Sequence, residues 1–78
     1  MDKMKILVVD DESRMRKLVS DFLTRKGYAV IEAADGVEAV DTFMENKDIA
    51  LIILDVMMPR MDGWEVCRQI RKDSKVPI

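Results

Sequence analysis

Two short, mainly apolar runs stand out along the chain, and neither alternates with polar residues. The first is KILVV at Lys5–Val9, and the second is IALIIL at Ile49–Leu54. Runs of this length are typical of strands buried on both faces, as in a parallel sheet covered by helices. A third segment, Tyr28–Ala33, alternates weakly, which favours an edge strand. The pattern therefore predicts three strands.

The segments between these strands place apolar residues at helical spacing. The first helix is predicted to begin near Ser13, interpreted as its cap, and to end before Gly27. The second helix follows the Asp35-Gly36 turn, and the third runs from Gly63 to about Lys72. The positions predicted to face the core are Met15, Leu18, Val19, Phe22 and Leu23 in the first helix, Val37, Val40, Phe43 and Met44 in the second, and Val66, Cys67 and Ile70 in the third.

Polar residues give further information about the helices. Asp35 with Glu38, and Asp62 with Glu65, have the spacing of a capping box. The basic residues of the first helix are predicted to lie on or near its outer, solvated face: Arg14, Arg16, Lys17, Arg25 and Lys26. Strands that alternate with helices in this way predict an α/β fold with a parallel sheet.

The composition fits one small domain of 78 residues with a mixed surface charge. Its hydrophobic fraction of 49% suffices for an apolar core, and its formal net charge of −2 gives no indication of nucleic-acid binding. Cys67 is the only cysteine and histidine is absent, which argues against an internal disulfide and a zinc site. The apolar runs are too short for a membrane span or a signal peptide, so we expect a cytoplasmic protein.

Carboxylates follow both of the main apolar runs. Asp10 and Asp11 come directly after Val9, and Asp55 comes directly after Leu54. Alone, Asp55 could simply end a strand and begin a turn. However, the carboxyl ends of neighbouring parallel strands lie at one edge of a sheet, so we expect the three acids to converge. Such close like charges need a cation, and carboxylate oxygens with a nearby backbone carbonyl suit Mg²⁺.

Three stretches of the chain resemble the receiver domain of bacterial two-component response regulators, the CheY-like family. They are Val8-Val9-Asp10-Asp11-Glu12, Ala34-Asp35-Gly36, and Leu54–Pro59 running into Asp62-Gly63. The segment at residues 58–71, MPRMDGWEVCRQIR, is most similar in sequence to receivers that carry a winged-helix DNA-binding domain. The resemblance implies a flavodoxin-like, three-layer fold of about three βα units with parallel strand order 2-1-3. The first helix is then expected on one face of the sheet and the other two on the opposite face.

The resemblance also implies the chemistry of the site. Asp55 would be the phosphoacceptor, and Mg²⁺ would be held by Asp10, Asp11, Asp55 and the backbone carbonyl of Met57. The expected partner is a histidine kinase or phosphotransfer protein of a phosphorelay. The chain itself is not expected to be an independent enzyme. Glu12 is interpreted as a solvent-facing residue near the positive end of the first helix rather than a ligand.

The resemblance reaches the start of the family's fourth strand, at Val76–Ile78. Residues 1–78 are therefore interpreted as a partial receiver domain without a second domain. Later in their sequence, members of the family have a hydroxyl residue, a lysine and an aromatic switch residue, and residues 1–78 contain no counterpart of these three. Lys75 does not replace the lysine, because it precedes strand four and so lies at the edge of the sheet opposite the acids. An alternative interpretation is a non-signalling receiver fragment that acts as a self-associating module. We expect a homo-oligomer formed through the edge of strand three and the uncovered sheet face.

Overall fold

Strands and helices alternate along the chain, as the hydrophobic pattern predicts. The computed structural model describes residues 3–54, 63–72 and 74–78. Among these residues no helix has the length and apolarity to span a membrane. In chain order the elements are β1 (Lys5–Val9), α1 (Ser13–Arg25), β2 (Ala29–Ala33), α2 (Gly36–Glu45), β3 (Leu51–Leu54) and α3 (Gly63–Arg71).

The strands form one parallel sheet in the order β2-β1-β3, which confirms the predicted order. Val9 lies opposite Ala33 of β2 and Leu54 of β3, so the three strands end level with one another. β3 is shorter than predicted and begins at Leu51 instead of Ile49. The Ile49 N–H donates to the C-cap residue of α2 instead of joining the ladder.

The hydrophobic core lies between the sheet and helices α2 and α3. Phe43 from α2 and both Val66 and Ile70 from α3 are fully buried against strand residues. Burying a side chain of this size is worth roughly 2 kcal/mol, so this layer dominates the stability of the fold. The buried cluster consists of Leu7, Val9, Ala33, Ala39, Phe43, Ile49, Ile52, Val66 and Ile70.

Two positions predicted for the core of α2 and α3 differ in the structure. Cys67 is only half-buried, because Val66 and Ile70 take the inward positions of α3. Val37 is exposed, and Ala39 is buried in its place on α2. Helices α2 and α3 also contact each other directly.

Helix α1 packs on β1 and β2 and contributes nothing to the cluster beneath α2 and α3. The prediction that its whole apolar stripe is buried is wrong. Met15, Leu18 and Phe22 are exposed, and the one fully buried residue of α1 is Ser20. The strands β1 and β2 cover only part of this apolar stripe. Three of its five residues are therefore exposed, whereas Val19 and Leu23 are half-buried.

The ends of α1 are fixed by its flanking residues. Glu12, not Ser13, is the N-cap, and its carboxylate accepts from the N–H groups of the second and third helical residues. At the other end Gly27 has φ +97°, a left-handed conformation that glycine adopts readily. The N–H groups of Gly27 and Tyr28 donate to the carbonyls of Thr24 and Leu23, which is a Schellman motif.

Helix α2 begins as predicted. Asp35 is its N-cap, and the Asp35 carboxylate accepts from the Glu38 N–H at 2.9 Å. The corresponding cap predicted for α3, Asp62, lies outside the described residues.

The outer edge of β3 is partly covered by the end of the chain. The Ile52 N–H donates to the Pro77 carbonyl at 2.9 Å, and Val76 packs against the core. The Arg71 guanidinium donates to the Val76 carbonyl at 2.6 Å and holds this segment in place. Proline lacks an N–H but keeps its carbonyl acceptor, so the edge is less open than the sequence predicts.

Candidate functional site

The candidate site lies where the three strands end, here called the carboxyl edge and defined by Val9, Ala33 and Leu54. The Asp10 N–H continues the ladder by donating to the Ala33 carbonyl at 3.2 Å. Asp10 therefore begins directly at this edge, between the ends of β2 and β3. In open α/β sheets this is the position where ligands bind.

The two acids after β1 differ in their surroundings. Asp10 is half-buried, whereas Asp11 is exposed to solvent. The Asp10 carboxylate accepts from the Glu12 N–H through Oδ1 at 2.9 Å, which fixes its rotamer. The carboxylate of Asp10 is thus oriented by a hydrogen bond, whereas that of the next residue, Asp11, faces solvent.

Glu12 has a structural role that separates it from these two acids. Its Oε1 accepts from the Arg14 N–H at 3.1 Å, and its Oε2 accepts from the Met15 N–H at 2.9 Å. Both carboxylate oxygens are therefore occupied by the free N–H groups at the start of α1. This agrees with the interpretation that Glu12 lies at the positive end of α1 and faces solvent.

The remaining predicted site residues, Asp55 and the carbonyl of Met57, lie outside the described residues. Within the described ranges, no three His, Cys, Asp or Glu side chains are grouped as a metal site. Asp10 and Asp11 nevertheless form a donor set of the right chemistry, because Mg²⁺ prefers a few carboxylates and completes its shell with water. The chemistry of Asp10 and Asp11 therefore fits the magnesium expected for the fold, and their role as ligands stays a prediction.

Arg16 is a site residue that the sequence interpretation misplaced. It was predicted on the outer face of α1, but its side chain is only 20% exposed. Its Nη1 donates to the Asp10 carbonyl at 2.8 Å, and its Nε donates to Glu32 Oε1 at 3.1 Å. A signal was present in the sequence, since Arg16 shares a helix face with Val19 and Leu23 at spacings of three and seven.

Two carboxyl groups in the described part of the chain, those of Asp48 and Glu65, have a lowered pKa. A hydrogen bond from Lys5 at the start of β1, with Nζ 2.7 Å from Oδ2, lowers the pKa of Asp48. A hydrogen bond from Gln69 lowers the pKa of Glu65 within α3. Asp48 is exposed and precedes β3, whereas Glu65 is half-buried in the first turn of α3.

Comparison with known proteins agrees with this geometry. The family model of the response regulator receiver domain matches residues 6–78. A probable transcriptional regulator, ycf27, from Guillardia theta is 51% identical over 97% of this chain and 30% of its own length. The transcriptional regulatory protein ResD of Bacillus subtilis is 55% identical over 95% of this chain and likewise 30% of its own length.

Solved structures show the same fold. The response regulator TrrA of Thermotoga maritima, solved in complex with Mg(2+)-BeF, superposes with a TM-score of 0.87 at 42% identity. The match covers 92% of this chain and 62% of TrrA. The chemotaxis protein CheY4 of Vibrio cholerae gives a TM-score of 0.86 at 39% identity, over 91% of this chain and 58% of CheY4.

The chain spans about a third of the length of the curated relatives named above and somewhat over half of these solved chains. Within that span the match is nearly continuous, and it includes the carboxyl edge with Asp10 and Asp11. The strand order, the acid pair and the family match all agree. The chain belongs to the response regulator receiver domain family.

Proposed function

We propose that this chain is a phosphoacceptor module of a two-component phosphorelay. In this proposal Asp55 takes a phosphoryl group from a histidine kinase, while Asp10, Asp11, Asp55 and the Met57 carbonyl hold Mg²⁺. One observation carries the proposal: Val9 and Leu54 lie opposite each other at the ends of β1 and β3. The residues that follow them are Asp10 and Asp55. The resemblance to TrrA, which was solved with Mg(2+)-BeF, supports the same assignment.

The proposed chemistry requires little of the protein beyond positioning and charge. A carboxylate oxygen of Asp55 attacks the phosphorus, the new P–O bond forms, and the P–N bond to the donor histidine breaks. When bound, Mg²⁺ would offset part of the negative charge on the transferring group. Asp10, with its rotamer fixed by the Glu12 N–H, supplies an oriented ligand, and Asp11 supplies a second one open to solvent.

The wider setting follows from the same proposal. The curated relatives ycf27 and ResD are named as transcriptional regulators, so the phosphorylated state would serve signalling and not turnover of a substrate. We accordingly propose a cytoplasmic module whose partner is a histidine kinase or phosphotransfer protein. Any chemistry at Asp55 would be limited to its own phosphorylation and hydrolysis.

Intact mass spectrometry after incubation with a small acyl-phosphate donor and Mg²⁺ tests this function. We expect a mass increase of one phosphoryl group that disappears when EDTA is present. Asp55→Ala should abolish the label, and Asp10→Asn should raise the Mg²⁺ concentration needed for half-maximal labelling. As a control, Asp41→Asn, an exposed acid on α2, should label like the unchanged chain. A label that survives Asp55→Ala contradicts the assignment of the acceptor.

A second candidate function, self-association, is favoured by the exposed side of α1. Leu18 is 64% exposed and Phe22 is 57% exposed, and Met15 lies beside them. Ile53 of β3 is also exposed and shares a sheet face with Val8, its register partner. Several large apolar side chains exposed on one small domain often mark an interaction surface. We propose that a second copy of the chain covers it.

The charges beside this apolar surface suit a two-fold contact. Lys17 and Asp21 flank Leu18, and their side chains lie 3.7 Å apart. If two α1 helices pair antiparallel about a two-fold axis, each lysine can lie beside the aspartate of the other copy. The contact would then repeat itself symmetrically, as in an isologous dimer.

Sedimentation velocity over a range of concentrations tests the association. We expect a monomer–dimer equilibrium that Phe22→Glu shifts to monomer, because the substitution places two like charges in the contact. Val37→Glu, on the exposed side of α2, is the control and should leave the equilibrium unchanged. A stable monomer at every concentration, with or without Phe22→Glu, contradicts self-association while leaving phosphorylation untouched.

A further inference from the structure

The peptide groups around Asp10 are held at three points. The Asp10 N–H donates to the Ala33 carbonyl at 3.2 Å, and Oδ1 accepts from the Glu12 N–H at 2.9 Å. Both of these partners are backbone groups, which almost any sequence would provide. The third partner is a side chain, because the Asp10 carbonyl accepts from Arg16 Nη1 at 2.8 Å.

Arg16 is itself oriented by Glu32 of β2. Its Nε donates to Glu32 Oε1 at 3.1 Å, while Nη1 of the same guanidinium reaches Asp10. Two contacts through different nitrogens fix the plane of the guanidinium, which lysine with its single nitrogen cannot reproduce. Arg16 therefore links α1, β2 and the residue that begins the site after β1.

The bond to the Asp10 carbonyl bears on both predicted ligands after β1. This carbonyl belongs to the rigid peptide plane that joins Asp10 to Asp11. If that plane rotates, the two carboxylates move relative to each other and to the end of β3. We propose that Arg16 is a positioning residue for the magnesium site, holding this peptide plane in the orientation that presents Asp10 and Asp11 to the metal.

The inference rests on the proposed function, since it concerns the same site. Glu32 has a double role in it. It orients Arg16, and its negative charge offsets a guanidinium that would otherwise oppose a nearby cation. Removing the charge of Glu32 should therefore weaken Mg²⁺ binding, although Glu32 is at the end of β2 and is not a predicted ligand.

Isothermal titration with MgCl₂, at a temperature where each variant is fully folded, tests the role of Arg16. Groups that orient metal ligands typically change metal affinity about 10-fold to 100-fold when replaced. Arg16→Lys keeps the positive charge but removes the second donor nitrogen of the guanidinium. We expect it to raise the Kd for Mg²⁺ by about 10-fold. Arg25→Lys, in the last turn of the same helix, is the matched control and should leave the Kd unchanged.

A double-mutant cycle separates positioning from a general loss of structure. Glu32→Gln alone should raise the Kd less than Arg16→Lys does, because the bond to the Asp10 carbonyl can persist. If Glu32 acts partly by orienting Arg16, Glu32→Gln should raise the Kd by a smaller factor in the Arg16→Lys background than in the unchanged chain, where the orienting effect is still present. In metal-free protein, Arg16→Lys should shift the backbone amide signal of Asp11, whereas Arg25→Lys should not.

Two outcomes would overturn the inference, and they are distinguishable from failure of the proposed function. If the unchanged chain binds Mg²⁺ and both Arg16→Lys and Glu32→Gln bind it equally well, Arg16 has no positioning role. Additive effects of the two substitutions would likewise contradict the coupling. If the unchanged chain neither binds Mg²⁺ nor accepts a phosphoryl group, the proposed function fails and this inference fails with it.

Discussion

Three consecutive acids follow β1, and the structure divides them into distinct roles. Asp10 is oriented by a backbone N–H, Asp11 is open to solvent, and Glu12 caps α1 with both of its carboxylate oxygens. The division follows from position alone, since only the residue just before the first helical turn can reach its free N–H groups. The sequence placed Glu12 near the positive end of α1 but did not identify it as the cap.

Glu12→Ala tests this division. The substitution should lower the free energy of unfolding by about 1 kcal/mol, because two N–H groups lose their acceptor. It should leave the Kd for Mg²⁺ within twofold of the unchanged value, since Glu12 is not proposed as a ligand. Urea unfolding and calorimetry give the two quantities. Glu12→Asp, a preferred N-cap, is the control and should retain most of the stability. Weaker Mg²⁺ binding with unchanged stability would contradict the division.

At the scale of the elements, both ends of α1 are set by local sequence, whereas its rotation is set by packing. Glu12 and Gly27 mark its limits, and the pattern around them predicted the helix closely. The strands β1 and β2 determine which side of α1 is buried. The sequence of the helix alone does not predict that side. For the same reason Arg16 was assigned to solvent and Leu18 to the core, and both assignments were wrong.

Gly27→Ala tests the end of α1. Nothing lies within 4 Å of the position that a Cβ would take, so the only cost is the left-handed backbone. That conformation costs a residue with a Cβ roughly 1–2 kcal/mol, and we expect an equal loss in the free energy of unfolding. Gly27→Asn should lose less, because asparagine tolerates this conformation better. An alanine variant as stable as the unchanged chain would contradict the Schellman geometry.

At the scale of the whole molecule, the sequence was sufficient for the fold and for part of the site. Unbroken apolar runs predicted buried parallel strands, and the resemblance carried by the acid pair and the residues after β3 implied their order. The site follows from the level ends of Val9 and Leu54. Long-range partners such as Arg16 and Glu32 are sixteen residues apart and meet only once α1 is docked, so a local pattern does not reveal them.

We propose above that the carboxyl edge holds a Mg²⁺-dependent phosphoacceptor at Asp55. Mapping the phosphoryl label after reaction with a small acyl-phosphate donor tests it most directly, by borohydride reduction of the acyl phosphate and mass spectrometry of the resulting peptides. We expect a single reduced aspartate, in the peptide that contains Asp55, and none when Mg²⁺ is removed. A label on Asp10, Asp11 or any residue away from this edge, or labelling that is indifferent to Mg²⁺, would contradict it.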